Sequence, residues 1–63
     1  MLNSYLYREY KDGHWSIIGV FDYEQLQERV PRIAQVFAVV VNISYVEWGV
    51  EDSSTRWMVE RSF

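Results

Sequence analysis

His14 is the one histidine among the 63 residues, so it limits the nucleophilic and general-base chemistry available to this chain. Ser16 lies on the same side of an extended strand and is the nearest hydroxyl that His14 could activate. The sequence contains neither a G-x-S-x-G elbow nor a helix start placed to stabilise an oxyanion beside this pair. We therefore expect a solvated turn histidine, and we expect that the protein is not an enzyme.

Acidic side chains are the other candidates for chemistry. Glu47, Glu51 and Asp52 fall near one predicted hairpin tip and could hold a hard cation loosely, but their spacing fits no EF-hand. Glu9 and Glu60 could act as general acid and base only within a pocket, which one helix on a small sheet does not enclose. The sequence therefore predicts a solvated acidic loop, with no metal, cofactor or small-molecule substrate.

The composition predicts one small folded domain spanning residues 1–63. Hydrophobic residues make up 49% of the chain and aromatic residues 17%, which excludes a disordered segment and indicates a core. A domain of this size buries only about 60% of the surface that its unfolded chain exposes, so a partner or a second copy would add stability.

The chain has no cysteine, and its first ten residues have neither a basic start nor an apolar stretch of signal-peptide length. No segment approaches the roughly 20 apolar residues that a membrane span requires. We therefore expect a cytoplasmic protein without a membrane partner.

The N-terminal third reads as a β-hairpin. Residues 5–10 and 14–21 are rich in aromatic and β-branched side chains, and Asp12-Gly13 between them supplies the positive φ of a tight turn. Two registers stay open. A two-residue loop would place on one face Tyr5, Tyr7, Ile18 and Val20. A three-residue loop with a Gly bulge would instead place on one face Tyr5, Tyr7, Trp15 and Ile17.

The middle of the chain reads as a helix interrupted by proline. Asp22 with Gln25 three residues later forms a capping-box pattern, so the helix begins at about Tyr23. Pro31 removes one N–H and crowds the carbonyl four residues earlier, which predicts a kink or two abutting helices. The apolar residues keep helical spacing across the proline, so both parts face the same core.

Asn42 marks the end of this helical pattern. Apolar residues recur every three or four positions before it, whereas Val46, Trp48 and Val50 alternate as in a strand after it. Three consecutive valines at 39–41 favour extended backbone. The helix therefore ends at about Val40, or it stops near Phe37 and a longer, bulged strand starts at once, so its predicted end lies between Phe37 and Val41.

The last third predicts a second hairpin. If residues 51–54 form the loop, Trp48 faces Trp57 and Val46 faces Val59 on a core face. The opposite face then carries Tyr45, Glu47, Arg56, Met58 and Glu60. The expected fold is α+β with the order ββαββ: a four-stranded antiparallel sheet with one Pro-kinked helix packed on one face.

A single helix leaves the other face of such a sheet uncovered, yet both hairpins place aromatic or long apolar side chains there. These residue types are enriched at the centres of protein interfaces. We therefore expect a non-enzymatic protein–protein interaction module that binds another protein or itself, as a homodimer, through this face or a sheet edge. The expected partner-binding residues are Tyr10, Trp15, Tyr45, Glu47, Arg56, Met58 and Glu60.

Two further expectations accompany this one. A small acidic chain without catalytic groups is typical of inhibitors of host proteins encoded by viruses or mobile elements. The alternative is a module that stacks single-stranded nucleic acid on its aromatic sheet surface. The net charge of -3, with Arg8 and Lys11 balanced by Glu9 and Asp12, disfavours nucleic acid.

Overall fold

A computed structural model describes residues 4–62 of the chain. The sheet is antiparallel, with the strand order β2-β1-β4-β3, and two short helices pack against it, so the expected α+β class is confirmed. Both ends of the expected domain, residues 1–3 and 63, lie outside this part. The elements in chain order are β1 (Ser4–Lys11), β2 (His14–Phe21), α1 (Tyr23–Arg29), α2 (Pro31–Val39), β3 (Tyr45–Gly49) and β4 (Arg56–Ser62).

The first hairpin turns through two residues with positive φ, Asp12 at 54° and Gly13 at 85°. This is the turn whose twist matches that of the flanking strands. The two-residue loop is therefore correct, but neither predicted grouping of side chains is. Tyr7 pairs with Gly19 and Arg8 pairs with Ile17, so Ile18 is an extra residue that forms a β-bulge.

The bulge changes which side chains share a face. Beyond it Tyr5 pairs with Phe21, while nearer the turn Tyr10 pairs with Trp15. Paired residues point to the same side of a sheet. Trp15 and Ile17 therefore lie on the face opposite to Tyr5 and Tyr7.

Two helices, rather than one kinked helix, connect the hairpins. The backbone N–H of Gln25 donates to Asp22 Oδ1 at 2.8 Å, and the N–H of Asp22 donates to Gln25 Oε1 at 3.0 Å, which completes the predicted capping box. Val30, with φ -137° and ψ 71°, separates α1 from α2, and Pro31 is the first residue of α2. The end of α2 at Val39 lies within the predicted range.

The second hairpin has the predicted register, with Trp48 opposite Trp57 and Val46 opposite Val59. The ladder ends at Gly49 and Arg56, one pair short of the predicted loop. The long strands β1 and β4 lie side by side in the centre of the sheet, and the turns of both hairpins lie at the same end of it.

The core lies between the helices and one face of the sheet, which we call the inner face. Leu26, Ala34 and Phe37 from the helices pack against Tyr5 and Val59 from the central strands, and all five are buried. The half-buried side chains around this core come from the helices, their flanking segments and the inner face alone.

Arg61 attaches the end of α2 to the sheet. Its Nη2 donates to the carbonyl of Phe37 and its Nη1 to that of Val41, both at 3.1 Å. Its guanidinium also lies 5.2 Å from the centre of the Phe37 ring. One side chain therefore binds backbone carbonyls at the helix end that would otherwise lack partners.

Tyr7 occupies the middle of an aromatic row on the inner face. Its ring lies 6.3 Å from that of Phe21 and 6.0 Å from that of Trp48. Burial raises the pKa of the Tyr7 hydroxyl, and the nearby charge of Glu9 raises it further. The folded protein therefore favours the neutral phenol.

Replacing Tyr7 by Phe tests this arrangement. Because the pKa of Tyr7 is raised above an unfolded value of about 10, its contribution to stability is complete below that pH and declines as the pH rises further. In urea denaturation we expect Tyr7→Phe to lose less stability than the wild type between about pH 8 and pH 11. Tyr45→Phe, at an exposed position, is the control and should behave as the wild type. Equal losses in all three proteins would contradict the assignment.

Candidate functional site

The candidate site is the side of the sheet opposite to the helices, which we call the outer face. Strand pairing arranges its side chains in three rows that cross the sheet from β2 to β3. In the order β2, β1, β4, β3, the first row is Val20, Leu6, Glu60 and Tyr45, the middle row is Ile17, Arg8, Met58 and Glu47, and the third row is Trp15, Tyr10, Arg56 and Gly49.

The half of the outer face formed by β1 and β2 is mostly apolar. Ile17 is 68% exposed, Val20 59% and Trp15 39%, whereas Leu6 and Tyr10 beside them are half-buried. The bulge residue Ile18, next to Ile17 in the chain, is also exposed. Single exposed apolar residues are common on protein surfaces, but a contiguous group of this kind usually marks an interface.

The charged side chains of the outer face neutralise one another, with three of them on β3 and β4 and Arg8 on β1. Arg56 Nε lies 3.0 Å from Glu47 Oε2, and Arg8 Nη2 lies 3.5 Å from Glu60 Oε1. Two arginines and two glutamates thus leave the three rows with no net charge. Because these ions are already paired, a partner that covers the face meets no unpaired charge in these rows.

Arg8 lies near the centre of the outer face. Its guanidinium is 5.5 Å from the Trp15 ring, and its Nη2 is 4.0 Å from the sulfur of Met58. Its Nε is buried and has no hydrogen-bond partner in residues 4–62. The Trp15 ring in turn lies 5.2 Å from that of Tyr10, so the Arg8 guanidinium and two aromatic rings form one cluster.

The structure brings all the expected partner-binding residues to one face. On this face Glu47 and Arg56 of the second hairpin form an ion pair. Tyr7 lies on the inner face. The residues on the outer face are Tyr10, Trp15, Tyr45, Glu47, Arg56, Met58 and Glu60.

Sequence reasoning missed four residues of this surface, namely Leu6, Arg8, Ile17 and Val20. Leu6 and Arg8 alternate with Tyr10 along β1, and the two-residue loop, one of the two predicted, already places Ile17 beside Arg8. Only Val20 owes its face to the bulge at Ile18, which the sequence does not mark, because two adjacent isoleucines fit either register.

The residues considered for catalysis are not brought together. Strand pairing places Glu9 on the inner face and Glu60 on the outer face, and His14 is exposed beside the first turn. Within residues 4–62, no group of three or more histidine or acidic side chains is close enough to hold a metal. No helix in that range is long and apolar enough to cross a membrane.

An apolar groove of about 400 Å³ lies between α2 and β3 on the helical side. Pro31, Ile33 and Val36 line one side of it, and Trp48 lines the other. Arg32 is the one charged residue at its margin. The groove offers few polar groups to orient a small ligand, so the outer face is the stronger candidate site. Comparison of the chain with models of known families, curated proteins and solved structures found no match.

Arg8→Met tests whether the charge or the stem of Arg8 matters to stability. The side chain of Glu60 is 45% exposed, so its ion pair with Arg8 contributes little, and the partnerless Nε offsets part of that. We expect Arg8→Met to change the free energy of unfolding by less than about 1 kcal/mol. Arg8→Ala also removes the aliphatic stem of this half-buried side chain, which methionine keeps, and should cost more. Equal losses in urea denaturation at low protein concentration would show instead that the charge dominates.

Proposed function

We propose that this protein is a non-enzymatic protein–protein interaction module and that the outer face is its contact surface. The observation that carries the proposal is an exposed apolar half-face joined to a half-face whose charges are already paired. Such a surface presents no unpaired charge to a partner and gains from the burial of Trp15, Ile17 and Val20.

Tyr10, Trp15 and Met58 supply the kinds of side chain that carry most binding energy at interface centres. Glu47, Arg56 and Glu60 form a polar margin that fixes the orientation of the partner. Tyr45, 51% exposed at the β3 edge, is a further aromatic anchor. The proposed site therefore unites aromatic anchors with an orienting charged margin.

Nucleic acid is the weaker alternative. A groove for single strands needs unpaired cations along the phosphates, and the two outer-face arginines are engaged with glutamates. The overall charge of -3 also opposes a polyanion. The proposal therefore keeps a protein as the partner. Three expectations from the sequence remain part of the proposal: the protein inhibits a larger host protein, it originates in a virus or mobile element, and it is located in the cytoplasm.

Site-specific photo-crosslinking tests this proposal. A benzoylphenylalanine placed at Ile17 lies on the outer face, whereas the same residue at exposed Gln27 lies on α1 and serves as the control. In cells that express each full-length variant, we expect strong crosslinks from position 17 and weak ones from position 27. Adding Tyr45→Ala and Met58→Ala should reduce the crosslinks from position 17.

Strong crosslinks from position 27 alone would contradict the proposal, because the helical side would then be the contact surface. Crosslinks from position 17 that ignore both alanine substitutions would contradict the assigned anchors. Circular dichroism of each purified variant verifies that the fold is retained.

A further inference from the structure

We infer that the partner covering the outer face is a second copy of this chain, with the two sheets stacked face to face about a two-fold axis. This inference rests on the proposed function and names its partner. The axis lies between the sheets, perpendicular to the strands and over the middle row. It places β2 of one copy over β2 of the other and exchanges the first and third rows.

The exchange of rows matches apolar groups with apolar groups. Val20 in the first row then faces Trp15 in the third row of the second copy, and Leu6 faces Tyr10 in the same way. Ile17 lies on the axis and meets its own copy. Each contact occurs twice, as a two-fold interface requires, so the apolar half-face of each copy is covered by that of the other.

The same exchange matches opposite charges. Glu60 in the first row faces Arg56 in the third row of the second copy. Arg8 and Glu47 in the middle row come near their own copies, but each is already neutralised within its chain, by Glu60 and Arg56 respectively. Stacked sheets also cross at about 30°, which offsets identical side chains away from the axis. The charge pattern is therefore complementary to itself.

Side-chain size is complementary as well. The large ring of Tyr45 ends the first row, and Gly49, which has no side chain, ends the third. Arg56 lies across Gly49, since a Cβ built there would be 3.3 Å from both Cγ and Nη1 of Arg56. Tyr45 of the second copy can therefore rest on this guanidinium, a contact that aromatic rings favour.

The available area agrees with a dimer. The molecule measures 36 × 21 × 19 Å, so the flat projection of a long side is about 700 Å². A standard protein interface buries about 800 Å² of accessible surface on each partner, so a dimer of that kind would use a large part of one side. Pairing through the exposed edge of β2 would bury less, and the bulge at Ile18 interrupts the regular ladder that an added strand needs.

Charge exchange between Glu60 and Arg56 tests the geometry. In Glu60→Lys, lysine would face Arg56 of the second copy at two symmetric contacts, and in Arg56→Glu, glutamate would face Glu60 at both. A mixture of the two variants forms a heterodimer in which both contacts join opposite charges. The substitutions also free one middle-row charge, Arg8 in Glu60→Lys and Glu47 in Arg56→Glu. Each freed charge meets its own copy in a variant homodimer but not in the mixture, so it acts in the same direction as the exchanged contact.

Sedimentation equilibrium of the full chain at low salt provides the readout. We expect the wild type to dimerise at micromolar concentration, each variant to dimerise at least about tenfold more weakly, and the mixture to recover association. The recovery also shows that both variants are folded.

A wild type that remains monomeric at millimolar concentration would overturn the inference. So would a dimer that is indifferent to both variants, or a mixture that fails to recover. If the chain is monomeric but crosslinks a different protein from position 17, the proposed function stands and only self-association is lost. If the chain dimerises without crosslinks from position 17, both the inference and the proposed function fail.

Discussion

The structure depends on one geometric constraint: the sheet has two faces, and a single thin layer of helices can cover only one of them. The helices contain 7 and 9 residues, so they extend only about 10 and 13 Å. They meet the inner face around Tyr5 and Val59, where the core is fully buried. No further layer exists within residues 4–62, so these residues leave the outer face uncovered.

The paired charges of the outer face indicate which kind of partner it could bind. Each glutamate on the outer face lies within 3.5 Å of an arginine of the same chain. Neutral pairs beside exposed isoleucine and tryptophan favour a surface of mixed apolar and paired polar groups rather than a polyanion. The same arrangement is self-complementary when the first and third rows are exchanged, which favours a second copy.

Most of this architecture can be predicted from the sequence, but not which side chains of the first hairpin share a face of the sheet. Alternation at Val46 and Trp48 predicts the second hairpin register, and the Asp22 capping box predicts the helix start, because both signals are local. The bulge at Ile18 is not local, since it lets Phe21 pair with Tyr5 and reach the core while Trp15 stays outside. The faces of Val20 and Phe21 therefore could not be predicted until the register was known.

Methyl NMR across a dilution series tests the central claim that the outer face is covered by a second copy. The account predicts that the resonances of Leu6, Ile17, Val20 and Met58 shift together as the concentration rises, while those of buried Leu26 and Ala34 stay fixed. Shifts confined to Ile33 and Val36 would place the contact in the groove between α2 and β3. That result, or resonances that never move, would contradict the account.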